Sequence, residues 1–488
     1  MSVAETITEF EPAEHQVAQR LDALLDRQRQ AFLKDGYPSA AVRKDRLSRA
    51  IALLVDHQKE IADALDADFG CRSKDMSLFT DVVAPIDALK HARSHVTSWM
   101  KPDRRMATFP FNLMGGRAQV MPQPKGVVGL ISPWNFPVQL TFGPLASILS
   151  AGNRAMIKPS EFTPETSALL GRMFREAFDE TEIAVVEGGP EVGKAFSGLA
   201  FDHIIFTGST RIGREVMRSA AENLVPVTLE LGGKSPVIVG KTADLETAAQ
   251  RIMAGKLMNA GQICLAPDYV YVPEDQVKPF VEACRQAVRS MYPTIKDNPE
   301  YTSIVNSRQY GRLMGIVDEA KDSGAEIVEL NPAQEDLASD DQRKVVPTIA
   351  LNTTPDMRIM QEELFGPVMP VHAYSNVSEV IDEINSRPRP LGLYYFGSDS
   401  LEEKKILTST TSGGVTVNDV IFHVVQDNLP FGGVGPSGMG NYHGKDGFRT
   451  FSHQKAVYRQ TPLESAMKMF RPPYTDMFRK TLNFKISR

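Results

Sequence analysis

Three residues in this chain are of the types that, brought together, make and break a covalent bond to a carbonyl carbon: a thiol, a carboxylate and a primary amide. The thiol is Cys264 in NAGQICLAP, where Gly-Gln ends a helical stretch and the chain turns toward a strand near Asp268. Side chains displayed at such turns can face a cleft. A cysteine standing alone is more often a small inert core residue, and Cys71 and Cys284 are read that way. The carboxylate is Glu230, at the end of the apolar run VTLEL, with Gly232 and Gly233 after it to let the backbone bend closely around a site. On its own it would be read as a cap or an ion-pair partner. The amide is Asn135 in SPWNFPVQL, between two prolines, able to donate to an oxyanion or merely to pin a turn.

As a set these types describe one reaction. A thiolate attacks an aldehyde carbon, an amide and a backbone N–H hold the oxyanion, hydride leaves to a nicotinamide, and a carboxylate activates water to hydrolyse the thioester. That scheme requires a dinucleotide site. Gly433, Gly435 and Gly438 have the Gly-x-Gly-x-x-Gly spacing but no strand-to-helix context, so they are set aside. HIIFTGSTRIG instead places Gly208, Ser209 and Gly213 where a strand passes into a helix, whose first N–H groups suit a pyrophosphate. GGKSP ends like a phosphate-binding loop, but Thr228 stands where its earlier glycine is needed. His91 and His95 have i, i+4 metal-like spacing without acidic partners and read as helix-surface residues.

The elements that must position these groups follow from periodicity. Leu21, Leu24, Leu25 and Phe32, then Leu47, Ile51, Leu54, Ile61 and Leu65, recur at helical spacing through the first hundred residues. From about 125, the runs VVGLI, AMIK, IAVVEG and HIIFTG alternate with helical stretches near 138–150, 164–178 and 210–222, which predicts a parallel sheet covered on both faces. A second alternating series opens at VTLELGG and SPVIVG and continues to about 417. KAVYRQ (455–460) is a late strand able to pair with GRAQVMPQ (116–123), and 324–343 reads as a polar exposed loop.

Composition bounds the rest. The 488 residues call for more than one core, and a formal net charge of −6 gives nucleic acid no support as a partner. Three cysteines are too few for a disulfide framework, which fits a reducing compartment, and the acidic N-terminus lacks the layout of a secretion signal, so a cytoplasmic location is expected. The stretch between Lys125 and Arg154 carries no charge and is long enough to span a bilayer, but Pro133, Pro137 and Pro144 break it. A buried strand, a turn and a core helix explain it better.

PWNFP, KPSE, FTGST, ELGGKSP, GQIC, EELFGPV and LPFGGVGPSGMG stand in the order seen in the aldehyde dehydrogenase superfamily, which the chain resembles from about Pro124 to His453. The resemblance implies Cys264 as nucleophile, Glu230 as general base and Asn135 as oxyanion amide. It implies Lys158 and Glu161 at the adenosine ribose, the Gly208–Ser209–Gly213 turn at the pyrophosphate, and Glu363 and Phe365 at the nicotinamide ribose and ring. A carboxylate at 161 accepts from ribose hydroxyls and repels a 2′-phosphate, so NAD is expected over NADP, with NADP still admitted. No metal is expected.

The segment from NDVIFH to KAVY, followed by FRPPY, is similar to the class 3-like branch acting on aromatic and medium-to-long aliphatic aldehydes, and within it to the bacterial coniferyl aldehyde dehydrogenases. The implied substrate is a hydrophobic, coniferaldehyde-like aldehyde. Phe136, Leu140, Ile263 and Leu265 beside the catalytic trio agree with it, as they would with ordinary core packing, and His423 is either a polar contact near the substrate or a structural hydrogen bond. The implied fold is α/β, with a Rossmann-like cofactor domain (1–114 with N-terminal helices, and 124–229), an α/β catalytic domain (230–420), and a small β oligomerisation arm with the C-terminal segment (115–123 and 421–488). A homodimer is expected. A medium- or long-chain aliphatic substrate, a coenzyme A-acylating enzyme and a non-catalytic structural descendant stay open as alternatives; Glu230 argues against the second and the intact trio against the third.

Overall fold

The computed structural model describes residues 12–337 and 342–487; the acidic start read above for targeting lies, in its first eleven residues, outside the described residues. The strands in chain order are β1 (Asp103–Arg105), β2 (Arg117–Pro124), β3 (Val127–Ile131), β4 (Arg154–Lys158), β5 (Ile183–Val185), β6 (His203–Gly208), β7 (Val227–Leu231) and β8 (Ser235–Val239). After these come β9 (Pro267–Pro273), β10 (Glu326–Glu329), β11 (Thr348–Leu351), β12 (Val368–Tyr374), β13 (Gly392–Phe396), β14 (Gly414–Val417), β15 (Gly438–Met439) and β16 (Ser452–Arg459).

They assemble into three sheets. One has the order β15-β7-β6-β3-β4-β5, with every pairing parallel except the short β15 on β7. Its central strand VVGLI is buried along nearly its whole length, as a strand covered on both faces must be. A second sheet, β10-β11-β12-β9-β8-β13-β14, is parallel apart from the β10 edge. The third, β1-β2-β16, is antiparallel and carries the pairing of GRAQVMPQ with KAVYRQ, from Ser452↔Pro124 to Arg459↔Arg117.

Two readings change. VTLELGG does not open the second series: β7 pairs with β6, so the first sheet runs through Leu231, and the second begins at β8. Periodicity cannot assign a strand to a sheet, because both neighbours of β7 are equally apolar. The polar stretch 324–343 is also not all loop, since Glu326–Glu329 forms the edge strand β10; residues 338–341 lie outside the described residues. The charge-free run resolves into β3, a turn and the helix Gln139–Ala151, whose residues from Thr141 onward are buried. Among the described residues no helix is long and apolar enough to cross a membrane.

Candidate active site

Parallel strands place their carboxyl ends on one edge, and that edge is where the sequence motifs converge. Register aligns Ile131 with Lys158 and with Phe206, Thr207 with Glu230, and Gly208 with Leu231. The loop bearing Asn135, the turn bearing Lys158 and Glu161, the Gly208 turn and the end of β7 therefore share one rim, outside the carboxyl ends of the sheet at its switch of strand order. The three residues Gly232–Lys234 then lead straight into β8. This brings the rim against the amino-terminal ends of β9 and β12 in the second sheet, which Cys264 and Glu363 precede.

The Cys264 loop is shaped by backbone that an apolar pattern does not announce. Asn259 (φ 48°), Ala260 (φ 51°) and Gly261 (φ 75°) are consecutive left-handed residues, a conformation costing roughly 1–2 kcal/mol for each side-chain-bearing residue. Gln262 holds the turn from within: its Nε2 donates to Asn259 O and Ser303 O at 3.0 Å, and its Oε1 accepts from Val305 N at 3.0 Å. Its carbonyl accepts from Asn135 Nδ2 at 3.0 Å, tying the amide to the thiol loop. Cys264 itself is partly exposed.

Burial, with the charges of Glu363 and Glu230 behind it, pushes the Cys264 thiol up to about 12, the N–H groups of Cys264 and Leu265 acting the other way. A thiolate there needs a proton acceptor, and the carboxylates whose charges act on it are Glu363 and Glu230. Glu230 is 3% exposed, and neither carboxylate oxygen has a hydrogen-bond partner among the described residues. Burial accordingly holds its carboxyl well above the ordinary range. Tyr442, fully buried, lies within the fields of both Glu230 and Cys264.

Glu363 and Phe365 sit on a loop gripped by cations. Lys234 pairs with Asp268 and donates to Ile359 O (2.8 Å) and Glu362 O (2.9 Å). Arg312 donates to Glu363 O (3.1 Å) and Leu364 O (2.7 Å), and Arg387 to Met360 O (2.9 Å). Phe365 is left-handed (φ 49°) and meets Trp134 edge-on with ring centroids 5.3 Å apart, which joins this loop to that of Asn135. Burial and Asp268 push the Glu363 carboxyl up to about 7 against the pull of Gly233 N–H, Lys234 and Arg312.

These residues fit a dinucleotide. Glu363 Oε1 is buried without a partner among the described residues, as an acceptor awaiting a ribose hydroxyl would be. Lys158, 3% exposed, pairs with the half-exposed Glu161 at 3.2 Å. Ser209 caps the helix Thr210–Glu222, whose first N–H groups face outward at the rim. Gly213 lies inside that helix and is buried: a Cβ there would meet Leu231 Cδ2 at 2.6 Å, so it draws the helix onto β7 and does not face the rim. The Gly433–Gly438 rope is packing, with Gly438 paired to Glu230 as β15 and Leu231 N donating to Ser437 O at 3.0 Å.

The apolar candidates are unequal. Leu140 is half-buried, Phe136 is 7% and Ile263 8% exposed, while Leu265 is 2% exposed and its carbonyl accepts from Tyr394 Oη at 2.6 Å. His423 shows features of both alternatives: Nδ1 lies 2.9 Å from Thr416 Oγ1 and the ring lies close over Gly414, while Nε2 is buried without a hydrogen-bond partner among the described residues. Gln262, Lys234, Asp268, Arg312 and Tyr442 were not singled out from the sequence. Lys234 lies inside ELGGKSP and was open to notice; nothing local distinguishes Arg312 or Tyr442.

A thiol, two raised carboxyls and a rim able to take a dinucleotide, set between two largely parallel sheets, suit a dehydrogenase that works through a covalent intermediate. Residues 5–457 match the aldehyde dehydrogenase family. A probable coniferyl aldehyde dehydrogenase of Caulobacter vibrioides is 58% identical over 96% of this chain and 97% of its own, and the coniferyl aldehyde dehydrogenase of a Pseudomonas species is 49% identical over the same shares. Staphylococcus aureus AldH, solved in its substrate-bound state, superposes with a TM-score of 0.89 at 37% identity, over 95% of this chain and 99% of that one. The chain belongs to the aldehyde dehydrogenase family. It is an NAD(P)-dependent oxidoreductase that converts aldehydes to acids.

Proposed function

We propose that the enzyme oxidises a hydroxycinnamaldehyde of the coniferaldehyde type to its carboxylic acid, with Cys264 as nucleophile, Glu230 as general base and Asn135 as oxyanion amide. The carrying observation is the pair of buried Glu230 oxygens, without a hydrogen-bond partner among the described residues, whose charge acts on Cys264. A carboxylate left free at such burial is costly unless it works on a proton. Cys264 attacks the aldehyde carbon, its proton passing to a carboxylate, and Asn135 Nδ2 with the Cys264 N–H takes the developing oxyanion. A bound nicotinamide supplies the hydride acceptor. Glu230 then draws a proton from water, which cleaves the thioester and frees the acid.

Lys158 and Glu161 hold the adenosine ribose, Gly208 and Ser209 the pyrophosphate, with Gly213 setting the helix, and Glu363 and Phe365 hold the nicotinamide end. Glu161 favours NAD over NADP. Phe136, Leu140 and Ile263 supply an apolar approach, Leu265 backing it from the core. Residues 1–114 and 124–229 form the bulk of the cofactor domain, whose sheet also takes in Glu230–Leu231 and β15; 230–420 otherwise serve as the catalytic domain, and 115–123 with 421–488, joined by β1, as the arm of a cytoplasmic homodimer that needs no nucleic acid. The identities with coniferyl aldehyde dehydrogenases support the substrate. A long aliphatic or polyene aldehyde is the second reading, favoured by the 38% identical 4,4'-diaponeurosporen-aldehyde dehydrogenase of Staphylococcus aureus. Comparing kcat/KM for coniferaldehyde, benzaldehyde and a long aliphatic aldehyde decides: equal or better efficiency on the aliphatic substrate defeats the first reading.

A further inference from the structure

The backbone of Asn135 is gripped by a buried ion pair belonging to neither parallel sheet. Arg72 follows the helix Gln58–Phe69, and Asp81 lies in a six-residue π-helix, Leu78–Val83. Their side chains are both 0% exposed and meet at 2.7 Å, Arg72 Nη2 to Asp81 Oδ2. Arg72 Nη1 donates to the Asn135 carbonyl at 2.8 Å. Asp81 Oδ1 accepts from Val138 N at 3.2 Å and Gln139 N at 3.1 Å, capping a helix whose N-cap residue, Val138, makes no side-chain cap bond. Thr80 Oγ1 donates to Asp81 Oδ2 at 2.9 Å. The loop between β3 and that helix is thus held at its middle and at its end.

The same Asn135 carbonyl also accepts from Asn259 Nδ2 at 3.2 Å, in the thiol loop. The Arg72 guanidinium is stacked between Phe69 (4.8 Å) and Phe136 (5.0 Å), so it has little room to tilt. A buried ion pair is poor evidence of stabilisation, because apolar residues of like volume often serve as well. What it supplies here is direction: a planar fork sets two bonds at a fixed angle. The π-helix adds a second indication, since such turns are rare and gather at functional sites, where the extra residue re-aims a side chain.

We propose that Arg72 and Asp81 are positioning residues that hold Asn135 in register with Cys264, so that its amide meets the oxyanion. The proposal rests on the reading of Asn135 as the oxyanion amide. Neither residue touches substrate; Arg72 acts through the Asn135 carbonyl, and Asp81 through Arg72 and the N–H groups of Val138 and Gln139.

The test is a double-mutant cycle read by the single-turnover rate of NADH formation, which reports acylation, alongside NADH binding by fluorescence. Arg72→Met combined with Asp81→Asn removes both charges without stranding either one. The expected result is an acylation rate about ten- to a hundred-fold lower, a fraction of the loss for deleting an oxyanion donor outright, with the NADH dissociation constant unchanged. In an Asn135→Ala background the same pair of substitutions adds no further loss. An equal loss in both backgrounds overturns the proposal and leaves the Asn135 reading standing. No loss from Asn135→Ala itself overturns both. Should the paired variant fail to fold, Arg72→Lys keeps the charge but not the fork, and the same cycle applies: a loss that vanishes in the Asn135→Ala background supports the proposal, and an unchanged rate overturns it.

Discussion

The carboxylate of Glu363 lies against the Cα of Gly232, so closely that a Cβ at 232 would overlap both carboxylate oxygens. Gly232 is in the three-residue link that joins Glu230 at the end of β7 to the second sheet. The obstacle there is the end of a flexible side chain, so Gly232→Ala should displace Glu363 and leave the fold intact. We expect KM for NAD to rise about ten-fold, roughly 1.4 kcal/mol, with a thermal midpoint within a few degrees of the parent. An unchanged KM would remove Glu363 from the cofactor site.

Cys264→Ala should abolish aldehyde oxidation while NADH still binds, because the cofactor rim is built from other loops. Titration of NADH fluorescence alongside an activity assay checks this. Substantial residual oxidation would move the nucleophile elsewhere.

Glu230→Gln separates the two halves of the reaction. Acylation should persist as a burst of NADH, while steady turnover falls about 10²–10⁴-fold for loss of a general base. Since burial holds the Glu230 carboxyl well above its ordinary range, its ionised, basic form increases with pH. The parent's hydrolytic step should therefore accelerate with rising pH, and the variant's should not. A variant with normal steady turnover would require a different base.

Glu161→Ala should narrow the preference for NAD over NADP by removing a negative charge from beside the ribose 2′ position. The ratio of kcat/KM for the two cofactors is the measurement, and an unaltered ratio would exclude Glu161 from that site.

His423 makes acid pH costly. Burial lowers its pKa to about 4, from an ordinary value of 6.5. Between those limits the folded state binds fewer protons than the unfolded chain, so stability is present above 6.5 and is lost as pH falls toward 4. The loss amounts to about 3 kcal/mol at the lower limit. His423→Gln should flatten urea-denaturation stability over that window, by part of the total, since burial also depresses His203, His372 and His443. A profile as steep as the parent's would show that His423 already exchanges protons freely.

The proposed trio and cofactor residues can be picked out in the sequence because each lies in a short motif next to a strand, where the chain passes from one element to the next. Arg72 and Asp81 were not, since they are separated from Asn135 by 63 and 54 positions and occur in a helical region whose pattern speaks only of core packing. The placement of β7 was misjudged for the related reason that apolar alternation marks a strand but not its neighbour. His423 stays between two readings in the structure as well, since Nδ1 meets Thr416 while Nε2 has no partner among the described residues.

By itself the sequence determined which functional groups exist and that they sit at the ends of alternating strands and helices, because side-chain type and periodicity are local properties. Only the tertiary structure decided how those groups meet. The left-handed turn at Asn259–Gly261, the cation grip on the Glu363 loop and the unpartnered carboxylate of Glu230 all arise between segments remote in sequence. Their energies depend on distance and burial, which no single stretch of chain specifies.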